Sequence, residues 1–206
     1  MSLNWLSVRR FIYLLFAPAA TGLIWRVIYS ETLAQQLLAL ALALFCVELA
    51  IMAKVDLDNI AIVKEEEDTR LDRFFLVVIS TIVLEVFGFY TALLSLPVGA
   101  LVVVFSQLWF NLLAGLQLHP GRSPAVVSFG LSKRFSVLLA NAAGLFLLSL
   151  WFIPTLSSAL SWELAPSFVI QLRRCLSGGL LALVVLFLLV KYVILGVLSI
   201  TREHQK

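Results

Sequence analysis

"STIVLEVFGF", residues 80–89, sets one carboxylate, Glu85, inside an apolar run that extends from Phe74 to Leu96. A run of about 20 apolar residues is what a helix needs to cross roughly 30 Å of hydrocarbon. A soluble core helix is the alternative, and the rest of the chain decides against it. Of 206 residues, 62% are hydrophobic and 13% are charged, and the mean hydropathy is +1.04. Soluble domains are about 45–50% apolar and about 25% charged. One core in a chain of this length leaves too much apolar surface outside it, so lipid is the expected solvent.

Working outward from Glu85, six segments are long and apolar enough to span. They cover residues 11–29, 33–53, 74–96, 98–118, 135–153 and 175–200. Lipid requires an internally paired backbone, and uniform apolar runs do not fit the alternating short strands of a barrel. The expected fold is therefore all-α, a polytopic integral membrane protein in one domain. Pro18 and Gly22 interrupt the first span. "SVRRFIYLLFAPAATG" has the look of a signal peptide, but its apolar stretch before Ala17-Pro18-Ala19 is short and the run continues to Tyr29, which predicts an uncleaved span.

Lysine and arginine set the orientation. One side collects Arg9, Arg10, Lys54, Lys64, Arg70, Arg73, Arg122, Lys133, Arg134, Arg202 and Lys206; the other has Arg26, Arg173 and Arg174. Eleven bases against three put both termini in the cytoplasm, in a bacterial inner membrane or its equivalent. Cytoplasmic loops are then expected at 54–73 and 119–134. In the first, periodicity continues the third helix back through Glu65 to Arg73, with Lys64–Asp68 and Glu66–Arg70 as i,i+4 pairs. In the second, Ser132 is placed to cap helix five, and Arg122, Lys133 and Arg134 are placed to meet anionic lipid head groups. On the other side, Pro154 to Gln171, with Trp162 and Glu163, is expected to lie along the interface.

Glu85 falls about 17 Å beyond Phe74, near the midplane. An acid there costs at least about 2.5–3.5 kcal/mol to insert, so it must face other helices or water. Thr81, Glu85, Gly88, Ala92 and Ser95 form one stripe at helical spacing; Gly99, Val103, Gln107, Asn111 and Gly115 form a second on the next span. Gly88, Gly99 and Gly115 are the expected close-packing positions. Glu48, Asn141 and Lys191 lie at similar or shallower depth. With Glu85, Gln107 and Asn111 they form a candidate polar cluster, for pairing or for transport, in which Lys191 is the partner of either Glu85 or Glu48. Cys46 and Cys175 read as small buried hydrophobes at opposite faces, too far apart to bond.

No P-loop, G-x-S-x-G or dinucleotide fingerprint occurs. Glu65 to Arg70 resembles the E-E-x-x-x-R pattern of CAAX-type intramembrane metalloproteases, but His119 and His204 both fall outside the spans, where that family's metal ligands cannot be completed. Neither metal nor cofactor is expected, and the scattered bases give no nucleic-acid patch. The expected function is that of a non-catalytic membrane subunit, assembly factor or scaffold, with other membrane subunits and the bilayer as partners. The alternative is a small proton- or cation-linked transporter or channel using Glu85. A lipid-modifying enzyme is the third.

Overall fold

A computed structural model describes residues 5–64, 68–121, 123–159 and 164–203, with side chains over 11–64, 68–121, 123–157 and 164–193. The chain is all-helical, at 85% helix, around one small hairpin. In order it forms α1 (Trp5–Tyr29), α2 (Leu33–Val63), α3 (Arg70–Leu94), α4 (Leu96–Leu113), β1 (Leu116–Leu118), β2 (Val126–Ser128), a 3-10 turn (Leu131–Arg134), α5 (Phe135–Leu150), α6 (Ile153–Ala159) and α7 (Pro166–Glu203). Six of these helical stretches are long and apolar enough to cross a membrane.

The turns explain the pairing of helices. Thr32 caps α2, its hydroxyl accepting from the Gln35 amide at 3.3 Å. Ser95 alone separates α3 from α4, with Pro97 in the first turn, where its missing N–H costs nothing. Such short connections fold α1 against α2 and α3 against α4 as antiparallel pairs. α2 is the central helix, packed on α1, α3, α4 and α7. In its most apolar window 56% of residues are buried, against 17% in the corresponding windows of the fifth and last spans.

Several boundaries differ from the sequence reading. α2 continues ten residues past 53, so the first expected loop is largely helix. The reason is a buried stripe, Ala53, Leu57, Ile60 and Val63, that carries the helix onto a second small core with Leu71, Ala125 and Val126. α3 begins at Arg70; Asp68 and Thr69 are not helical, so the third helix does not continue back toward Glu65 as expected. Residues 65–67, and with them the Glu66 pair and the E-E-x-x-x-R start, lie outside the described residues, as do Arg122, Trp162 and Glu163. α4 ends at Leu113, short of the expected 118. Gly115 follows it at φ +63°, in the left-handed region that favours glycine, and turns the chain into the hairpin. Gly115 is therefore a turn residue and not part of a helix-packing face. β1 and β2 pair antiparallel, Gln117 opposite Val127.

Ser132 does not cap α5: the 3-10 turn runs through it, and no side chain caps the helix. The expected interfacial stretch after Pro154 contains α6 and the start of α7, which begins nine residues before 175. Of the two cysteines, Cys46 is buried, but Cys175 is exposed on α7.

Candidate functional site

The expected polar cluster divides into two separate constellations, one joining α2 to α7 and the other joining α3 to α4. At the first, Glu48 is 2% exposed. Lys191 of α7 is ion-paired with its Oε1, and the Tyr192 hydroxyl donates to Oε2 at 2.9 Å. One turn away on each helix, the Phe45 and Phe187 rings meet edge-on with centroids 6.5 Å apart. Lys191 thus pairs with Glu48, and the choice the sequence left open is closed. Tyr192 was not anticipated; being next to Lys191, it lies on neither of the usual same-face spacings.

At the second, Glu85 is 4% exposed and accepts a 2.7 Å hydrogen bond from the Gln107 amide of α4. The backbones approach closely here. A β-carbon on Gly99 would stand 2.3 Å from the Ala92 nitrogen, and one on Gly88 would stand 2.7 Å from a Val103 methyl. Both positions have room only for glycine, and the two predicted stripes meet along them. Ser80 accepts from the Trp109 indole at 3.1 Å on the outer side of the same contact.

Asn111 turns its amide back to the Gln107 carbonyl at 2.8 Å, within its own helix. The buried Asn141 amide nitrogen has no hydrogen-bond partner among the described residues. Neither joins Glu85 or Glu48, so the six residues do not form one ring.

Asp56 is the residue that the sequence reading left in a solvated loop. It lies three residues after Ala53 and seven after Leu49, on the face of α2 that meets α3 and α4. Together with Thr81, Glu85 and Gln107 it lines a cavity of about 20 Å³, whose walls are completed by Leu49, Met52, Val78, Ile82 and Phe110. That volume takes a water molecule and is far below a drug-sized pocket. Asp56 lies within electrostatic reach of both Glu85 and Lys191. The signal was present: continuing the α2 periodicity beyond residue 53 places Asp56 on the inner face.

Arginines hold helix ends elsewhere. Arg26 of α1 donates to the Leu93 and Leu94 carbonyls, and Arg134 donates to those of Asn111 and Phe129. The Leu93, Leu94 and Asn111 carbonyls are left open at helix C-termini, where a cation is favoured. Arg134 is 6% exposed and stacks on Phe129, so it is turned inward rather than toward head groups; Lys133 beside it is exposed. At the start of α3, Arg70 donates to both oxygens of Asp68, at 2.6–3.1 Å, and to Ser128 of the hairpin. Those bonds hold the partly exposed Asp68 carboxyl below its ordinary value.

Comparison with known protein families, with curated proteins and with solved structures gives no match for this chain.

Proposed function

We propose that the protein is a multi-pass integral membrane subunit or assembly factor, with both termini cytoplasmic, that docks other membrane proteins through α7 and carries out no chemistry of its own. Orientation rests on the charge asymmetry, eleven bases to three, between the two sets of helix ends.

The observation that carries the docking reading is the outer face of α7. Gln171, Cys175, Gly178 and Ala182 follow one another at helical spacing, and all four are exposed or half-exposed. A β-carbon at Gly178 or Gly179 would meet nothing within 4 Å. Adjacent glycines weaken a helix by about 1 kcal/mol each relative to alanine. Lipid contact gives no return for that cost, whereas close approach of a second helix does. The inner face of α7 is meanwhile fixed by Glu48, so the helix is held in place to present the outer one.

Gentle extraction from the native membrane, followed by native mass and identification of co-purifying chains, tests the reading. Stoichiometric membrane partners that are lost in Gly178→Leu support it. A lone chain, or partners that Gly178→Leu retains, contradicts it.

A further inference from the structure

The two buried acids, Glu48 of α2 and Glu85 of α3, are compensated unequally. Lys191 is bonded to Glu48, and its charge also reaches Asp56. Among the described residues, Glu85 receives only a neutral amide. The charged residues that line the cavity are two acids, Asp56 and Glu85, and no base among the described residues lines it. Lys54 is engaged with Asp58 at 3.7 Å, Arg26 of α1 sits at the opposite end of α3 against Leu93, and the neighbouring thiol, Cys46, brings no positive charge. Two carboxylates facing one water-sized void in a low-dielectric interior cannot both stay charged without a positive charge beside them.

We propose that the cavity between α2, α3 and α4 binds one water-sized monovalent cation, hydronium or Na⁺, held by Glu85 and Asp56. Its chemistry fits that ligand. Besides the two carboxylates, Thr81 offers a hydroxyl oxygen whose proton is already given to the Val77 carbonyl. Gln107 has given its amide N–H to Glu85, which leaves its carbonyl oxygen as an acceptor. All four are hard oxygen donors, which select small hard cations. The volume is that of one water and excludes organic cations. With the cation bound, Glu85 is neutralised where it is most buried, and the remaining negative charge rests on Asp56, the less buried of the two acids. The site stands whether or not α7 docks a partner.

The full-length protein in lipid nanodiscs tests this. NaCl is titrated at constant ionic strength against choline chloride, and Na⁺ binding is read calorimetrically beside proton release into a weak buffer. Saturable binding of one Na⁺ per chain, weakened roughly tenfold or more in both Glu85→Gln and Asp56→Asn and unchanged in Lys133→Gln, identifies Na⁺. If Na⁺ does not bind, infrared difference spectra between acid and alkaline buffer decide for hydronium: each variant then removes its own carboxyl signal and also alters that of the other acid. The proposal is overturned if Na⁺ binds equally to wild type and both variants. It is also overturned if Na⁺ fails to bind and the two carboxyl signals are independent. Both substitutions keep side-chain shape; should either fail to fold, Thr81→Val in its place must weaken Na⁺ binding or shift the shared carboxyl signal, and no effect on either overturns the proposal.

Discussion

The Glu48 and Glu85 regions answer the same problem differently. Each puts an acid with less than a twentieth of its surface exposed against a neighbouring helix. Around Glu48 the answer is charge: a lysine and a tyrosine from α7 take both carboxylate oxygens. Around Glu85 the answer is geometry: glycines bring α3 and α4 close enough for one amide to reach one oxygen, and a water-sized cavity holds the rest. A closed ion pair fixes a helix, and an open cavity leaves a place to bind. The difference teaches that two equally buried acids of one chain can be accommodated in two ways, by an ion pair to α7 and by a neutral amide beside a small cavity.

The largest effect is expected from opening the closed pair. Lys191→Met leaves Glu48 buried without its counter-charge and lowers stability by about 3–5 kcal/mol, read as thermal unfolding in nanodiscs. Glu48→Leu with Lys191→Met restores most of that loss, because an apolar pair of similar volume carries no desolvation cost. If the double variant is as unstable as the single one, the pair is more than a charge-compensating contact.

Next comes the close approach under Glu85. Gly99→Ala forces a β-carbon into the Ala92 backbone, for about 1–3 kcal/mol, and parts α3 from α4. Gly178→Ala, where the same carbon meets open space, stabilises the isolated chain by about 1 kcal/mol. Equal effects at the two glycines would undo the distinction between inner and outer faces.

A smaller loss is expected from Gln107→Leu, about 1–2 kcal/mol for an unanswered buried acceptor. Glu85→Gln costs less, since it removes the buried charge itself; the reverse order would mean that Glu85 is held by something other than Gln107. The smallest effect belongs to Asp68→Asn at the exposed end of α3, where solvent screens the Arg70 pair. Because Arg70 holds the Asp68 carboxyl below its ordinary value, its contribution is in place above that ordinary value. It is lost as pH falls through the folded-state value. Asp68→Asn should flatten that acid-side dependence without moving the neutral-pH midpoint.

How much of this the sequence carried follows from period and length. Spacing alone aligned Thr81, Glu85, Gly88 and Ala92, all buried in α3, and set Gln107 on the facing helix. The six apolar helices were equally plain. Asp56 was missed because hydropathy marks where apolar composition stops, and α2 continues past that point on its buried stripe alone. Gly115 was misplaced for the converse reason: a glycine at helical spacing reads as a packing position, and only its positive φ shows a turn. The hairpin escaped notice because Leu116 to Leu118 extends an apolar run without a break. Arg134 carries a charge that reads as solvated, yet its guanidinium is taken up by the Asn111 carbonyl at the end of α4 and the Phe129 carbonyl after β2, partners that no side-chain pattern reveals. Lys191 could not be assigned because depth along a span does not tell which neighbour a helix faces.

The most direct test is a set of double-mutant cycles by thermal unfolding in nanodiscs, using Glu48→Gln, Glu85→Gln, Lys191→Met and Gln107→Leu. The account predicts strong coupling between Glu48 and Lys191, on the order of 1–3 kcal/mol. It predicts weaker coupling between Glu85 and Gln107, and none above about 0.5 kcal/mol between Glu85 and Lys191. Coupling of Lys191 to Glu85 as strong as to Glu48 would mean that the lysine serves the cavity, and the contrast between the closed and the open acid would fall.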